Sequence, residues 1–321
     1  MSVIKKSLSY SVTVVLLSTP VLVLWRHQNI YDWWRLRSYI APSAVAALAD
    51  QTTMNDKARK IFYVTRPELQ AKSEFQKSCT IREQTIVLGC YQAGRGIFVY
   101  NVSDDRLSGV QQVTAAHEML HAAYERLSSK EKAHVDSMTK SAYDNLHDDR
   151  LNKTVEAYRT RDASVVPNEL HSILATEVRI LNPELEQYYK RYFNNRKAIV
   201  DLSERFESEF TKRDAQIADY EEQLKNMKLT INELKSSLES QNSALDRITA
   251  ELERLSAENN VKDYNANIPL YQGMIKKYNN DVAVLKKTIA MYNSVFDKLN
   301  AIIGEEQTLF NAIDTRIPAT R

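Results

Sequence analysis

Apolar residues recur at every seventh position through the last third of the chain. Ile217, Leu224, Ile231, Leu238, Leu245 and Leu252 form one line, and Tyr220, Met227, Leu234, Gln241, Ile248 and Leu255 follow them three positions later. This is the a/d seam of a coiled coil. Its phase breaks between Ala257 and Asn267. A second seam then runs through Ile268, Tyr271, Ile275, Tyr278, Val282, Leu285, Ile289, Tyr292, Phe296, Leu299 and Ile303. Two long amphipathic helices around a polar break predict an antiparallel coiled-coil hairpin over 203–306, each helix covering the other's seam. A parallel dimer would also bury both seams, and heptads alone do not separate the two. Gln241, polar at a core position, would fix register at some cost in stability.

The pattern is different at the start. Lys5 and Lys6 precede an uncharged, largely apolar run from Leu8 to Trp25. As a helix it would be about 27 Å long, close to the ~30 Å of a bilayer core. Three readings compete: an uncleaved signal anchor, a cleaved secretory signal and a buried helix. No small-x-small cleavage site follows directly, since Trp25-Arg26-His27-Gln28 comes next. The expectation is therefore a transmembrane signal anchor with its juxtamembrane region over 1–35. Arg26, Arg35 and Arg37 compete with Lys5 and Lys6 in setting orientation. Trp25, Tyr31, Trp33 and Trp34 suit a membrane interface, with a short helix lying on it. Both signal readings place the rest of the chain outside the cytoplasm, as a single-pass cell-membrane protein.

Between these segments the pattern predicts a small α+β domain over 44–200. A helix is expected from Ala44 to Lys60, a break at Pro67, and a short helix from Glu68 to Phe75. Thr85 to Tyr91 and Gly96 to Val102 read as a β-hairpin joined across Gln92-Ala93-Gly94-Arg95. Helices are then expected from Val110 to Leu127, Ser129 to Leu146 and Leu151 to Thr160. Pro167 and Pro183 open two more. Only 6 glycines and 7 prolines in 321 residues agree with long helices. A net charge of +2 gives no reason to expect nucleic acid.

Six histidines are few, and two of them frame a glutamate in His117-Glu118-Met119-Leu120-His121. At i and i+4 of a helix both imidazoles reach one ion, and Glu118 is turned toward a water beside it. A catalytic zinc site keeps three protein ligands and one open position. Glu169 and Glu177 are the first choices for the third ligand, with His147, His171 and His134 behind them. Eight residues set the two glutamates about 80° apart around a helix, so only one is expected to coordinate. Cys79 and Cys90 could close a disulfide in an oxidising compartment.

With these residues the chain resembles the zincin metallopeptidases, and among them the gluzincins, in which a glutamate on a later helix completes the two-histidine site. Small zincins carry that glutamate three residues before a small side chain, a pattern similar to Glu169 and Ser172. The resemblance covers roughly residues 85 to 180. It implies a Zn2+ cofactor, a peptide or protein substrate, and Gly96 to Val102 as the edge strand along which substrate lies extended. It also implies a group to steady the oxyanion, for which Tyr158 and His171 are the choices. Two departures stand out. No glycine and further histidine follow His121 as in metzincins, and Asn168-Glu169 comes much later than the asparagine-glutamate pair of thermolysin-like enzymes. The expected activity is zinc-dependent peptide hydrolysis on the extracytoplasmic side of the membrane. Other readings are an inactive envelope scaffold acting through its coiled coil and a cell-wall amidase. The coiled coil could also engage a partner protein or a second copy of the chain.

Overall fold

The computed structural model describes residues 28–79 and 86–316. The expected transmembrane run at 8–25 lies outside them. Among the described residues no helix is long and apolar enough to cross a membrane. The described residues form two compact units, one of the residues up to Glu207 together with those from Ala312 onward, the other Ser208–Asn311.

The first unit is α+β. Its elements are α1 (28–36), α2 (Ser43–Gln51), α3 (Asp56–Val64), β1 (Glu68–Gln70), α4 (Lys72–Ser78), β2 (Gly89–Gln92) and β3 (Gly96–Tyr100). There follow α5 (Val110–Glu125), α6 (Ser129–Asp144), α7 (Asp149–Asp162), α8 (Val166–Glu177) and α9 (Pro183–Tyr189), and then the first turns of α10 (Arg196–Ala257). The single helix expected over Ala44 to Lys60 is two helices. Thr53 takes a left-handed φ of 54°, and the Asn55 side chain accepts from the backbone of Lys57 and Ala58, starting α3 afresh. The helix expected from Glu68 is a strand followed by α4, because Glu68 to Gln70 pair with Phe98 to Tyr100. α6 opens on a full capping box between Ser128 and Glu131.

The three strands lie in the order β1-β3-β2, with β1 parallel and β2 antiparallel to β3. This corrects the expected substrate edge. Gly96–Tyr100 is the middle strand, buried along most of its length, and the edge beside α5 is β2. The core gathers around α5, which packs on α8, α2, α3 and both strands of the hairpin. Ala115, Ala116, Met119, Leu120, Ala122 and Ala123 supply its buried face. Small residues on that face let the helix approach the sheet and α8 closely.

A smaller core holds Phe75, Cys79, Cys90 and Phe98. There Cys79 and Cys90 form a disulfide with Cα atoms 6.0 Å apart, joining the end of α4 to β2. The cross-link spans 11 residues. On loop-entropy grounds, replacing both cysteines with serine should cost about 2–3 kcal/mol. Thermal unfolding of the oxidised wild type against the double variant measures this, and equal midpoints would contradict it.

The second unit is the hairpin of α10 and α11 (Val261–Ile313). Phe210 stacks edge-to-face on Phe310, Arg213 lies 3.4 Å from Glu305, and Gln241 Nε2 donates to Asp281 Oδ2 at 2.6 Å. These pairs sit at matching distances from the turn at 258–260, as an antiparallel hairpin within one chain requires. Asn259 turns the chain with a φ of 49°. Leu224, Leu252, Leu255 and Leu299 of the two seams are buried. Gln241 finds its polar partner, Asp281, on the opposing helix.

Candidate metal centre

The site is built by α5 and α8. Gly109, with a φ of 103°, makes the turn into α5, a conformation that a side chain would strain. His117 and His121 then stand one turn apart on that helix. Their ring centroids are 4.7 Å apart and their planes cross at 77°. Glu169, in the first turn of α8, faces both. Its Oε2 lies 3.5 Å from His117 Nε2 and 3.7 Å from His121 Nε2.

One ligand atom from each residue falls within 4.8 Å of the other two. The two nitrogen–oxygen separations exceed ordinary hydrogen-bond lengths. They are close to what one ion requires, since atoms each about 2.0–2.1 Å from a tetrahedral zinc lie about 3.4 Å apart. Glu169 Oε2 is buried and has no hydrogen-bond partner among the described residues. A buried carboxylate oxygen without a partner is costly unless a cation meets it. Burial works to raise the Glu169 carboxyl, but the His117 and His121 rings outweigh it and hold the group below the ordinary carboxylate range. The residues present therefore fit a zinc ion.

Around the three ligands the chain adds support. His121 Nδ1 faces the buried Ser172 Oγ at 3.4 Å, leaving Nε2 toward Glu169. Glu118 is buried at 6% exposure, against the start of the edge strand. A Cβ on Gly89 would lie 2.9 Å from Glu118 Cγ, 3.0 Å from Glu118 Oε1 and 2.4 Å from Thr114 Cγ2. Only glycine lets β2 pass this close to the glutamate. At the other end of α8, Arg196 donates to the carbonyls of Leu174, Ala175 and Val178, closing the helix that carries Glu169.

The other expected ligands are not part of this cluster. Glu177, at the far end of α8, accepts from Arg150 at 2.8 Å. His134 lies on an exposed face 3.7 Å from Glu184, and His147 is exposed after α6. His171 is fully buried, with Nε2 3.0 Å from Tyr188 OH and the ring among Tyr124, Tyr188 and Tyr189. Burial pushes its pKa down to about 3, which keeps it neutral. Its place is a core tyrosine cluster rather than the ligand group. Tyr158 lies on α7 with the Arg161 guanidinium over its ring.

His117, Glu118 and His121 with Glu169 form the arrangement of a zinc-metallopeptidase active site. No protein-family model matches the chain, and no curated protein or solved structure matches it significantly. The assignment of chemistry therefore rests on the site itself.

Gly89 and Arg196 are supporting residues that the sequence did not point to, while Ser172, noted there only as the small side chain after Glu169, is the neighbour of His121 Nδ1. A glycine opening a strand just upstream of the motif helix was the one available signal, since such glycines mark close backbone approach.

Proposed function

We propose that this chain is a membrane-anchored zinc peptidase that hydrolyses peptide bonds in protein or peptide substrates on the extracytoplasmic side. His117, His121 and Glu169 hold the ion, and their convergence on one point is the observation that carries the reading. Zinc bound there supplies Lewis acidity, polarising the scissile carbonyl and making water a nucleophile at neutral pH. Glu118 takes the proton as water attacks the carbonyl carbon, then delivers it to the amine nitrogen as the C–N bond breaks. Ser172 holds the His121 ring in the tautomer that presents Nε2. Edge strand β2, paired only with β3 among the described residues, offers backbone groups to an extended peptide beside Glu118.

The uncharged run from Leu8 to Trp25 supports the anchor. The Cys79–Cys90 disulfide supports an oxidising compartment outside the cytoplasm. The coiled-coil hairpin serves as an arm for substrate recruitment or partner binding. The test is hydrolysis of an unfolded protein substrate by the full chain and by Glu118→Gln. Equal hydrolysis by the two would defeat the reading and favour a scaffold.

The edge strand gives a second test of the same geometry. Gly89→Ala places a methyl group against Glu118 and Thr114, so the carboxylate must shift by a sizeable fraction of an ångström. Displacements of this order cost about a hundredfold in rate. Zinc content should not change. Turnover equal to wild type would show that Glu118 does not act from this position.

A further inference from the structure

We propose that the face of α1 opposite Asp32 rests on the headgroup region of a lipid bilayer, and that the Asp32–Arg126 pair couples this contact to the metal-bearing helix. The proposal rests on the membrane-anchored reading above and adds to it the attitude of the active-site domain.

α1 is inside out for a helix in water. Its most deeply buried side chain is a carboxylate. Asp32 is 2% exposed and accepts from Arg126 Nη1 and Nη2 at 2.9 Å each, with Lys60 Nζ at 3.4 Å. At about 100° per residue, Ile30 and Trp34 lie roughly opposite Asp32 with Trp33 to one side, and Arg37 follows in the turn just after the helix. Ile30, Trp33 and Trp34 are 49%, 65% and 54% exposed, and Ile40 just beyond the helix is 90% exposed. A soluble helix turns such residues inward and its charges outward. An exposed cluster of large apolar side chains marks a surface that something covers.

Chemistry and position select a bilayer as the occupant. Tryptophan rings with arginine suit the interface, where the rings sit at headgroup level and guanidinium groups meet lipid phosphates. Arg37 lies over the Trp33 ring at 5.9 Å. The apolar run ends at Trp25, three residues before Gln28, the first described residue of α1. A bilayer holding that run therefore lies within a few residues of this face.

The inner side of α1 is fastened to the domain. Besides the Asp32 pair, Arg35 Nε donates to Val64 O at 3.1 Å. Arg126 directly follows α5 and lies five residues beyond His121. A bidentate, buried arginine–carboxylate pair is geometrically demanding. It makes α1 a mount rather than a tether, so the metal site meets substrates at one attitude to the membrane.

Trp25, Trp33 and Trp34 are the only tryptophans, so with Trp25→Phe all tryptophan emission comes from α1. The full chain carrying this change is reconstituted in lipid nanodiscs containing anionic lipid, with bromine placed either high on the acyl chains or near the bilayer centre. Shallow bromines should reduce emission about twofold and deep ones much less, as expected for interfacial tryptophan. Chain that enters the discs with emission insensitive to shallow bromine would overturn the proposal and leave the anchor standing; a protein partner would then be the occupant. Chain that never enters the discs would overturn both. The mount has its own readout in Asp32→Asn. Tryptic cleavage after Arg35 and Arg37 in discs should accelerate about tenfold as local opening becomes easier. Unchanged cleavage would overturn the coupling.

Discussion

Glu118→Gln is expected to leave zinc content at the wild-type level while lowering peptide hydrolysis by about 10²–10⁴-fold, the range for removal of a general acid–base. The substitution keeps the shape of the side chain and removes its capacity to carry a proton. The three ligand groups belong to His117, His121 and Glu169, so the metal should not notice the change. The amide occupies the space left by Gly89, whose missing Cβ makes room for Glu118 Cγ and Oε1. The fold should therefore persist, and the loss should appear in kcat rather than in metal occupancy. Full hydrolysis by the variant would remove Glu118 from the mechanism. Loss of zinc instead would mean that Glu118 helps hold the ion.

Arg196→Ala should produce a large loss of stability. The Arg196 side chain is 3% exposed. Nη1 donates to the carbonyls of Ala175 at 3.1 Å and Val178 at 2.6 Å, and Nη2 to that of Arg179 at 3.1 Å. Nε and Nη2 also hold the Glu186 carboxylate at the start of α9. The guanidinium thus satisfies carbonyls at the end of α8, where a helix leaves them unpaired and favours positive charge. Without it these buried acceptors and Glu186 lose their partner, which costs about 3–5 kcal/mol. For a unit of about 200 residues that is a fall of about 10 °C in melting temperature. Near-UV circular dichroism can follow it, because Tyr188, Tyr189 and Tyr192 pack nearby in the same core. Lysine should restore little, since a point charge cannot span several carbonyls and a carboxylate. A loss below about 1 kcal/mol in Arg196→Ala would show that water or a local rearrangement replaces these bonds.

What could be read in the sequence was what depends on local spacing. The i,i+4 histidines needed only a helix to converge, and the heptads needed only a turn near Asn259 to form a hairpin. The choice between Glu169 and Glu177 could not be made locally, because both lie on α8. It is made by tertiary neighbours: Arg150 holds Glu177, while His117 and His121 face Glu169. The strand order was hidden for a related reason. β1 has three residues, and Glu68-Leu69-Gln70 carries no strand signal apart from its pairing with β3. Without β1, Gly96–Tyr100 reads as an edge. The break between α2 and α3 depends on Thr53 adopting a left-handed φ, which its residue type does not favour. Asp32 gave no sign of its role, because its partner Arg126 lies far along the chain.

The most direct test is the zinc content of the purified full chain, compared with Glu169→Ala and Glu177→Ala. One zinc per chain is expected in the wild type and in Glu177→Ala, with most of it lost from Glu169→Ala. A folded wild type without zinc, or loss from Glu177→Ala in place of Glu169→Ala, would contradict the metal centre built by α5 and α8.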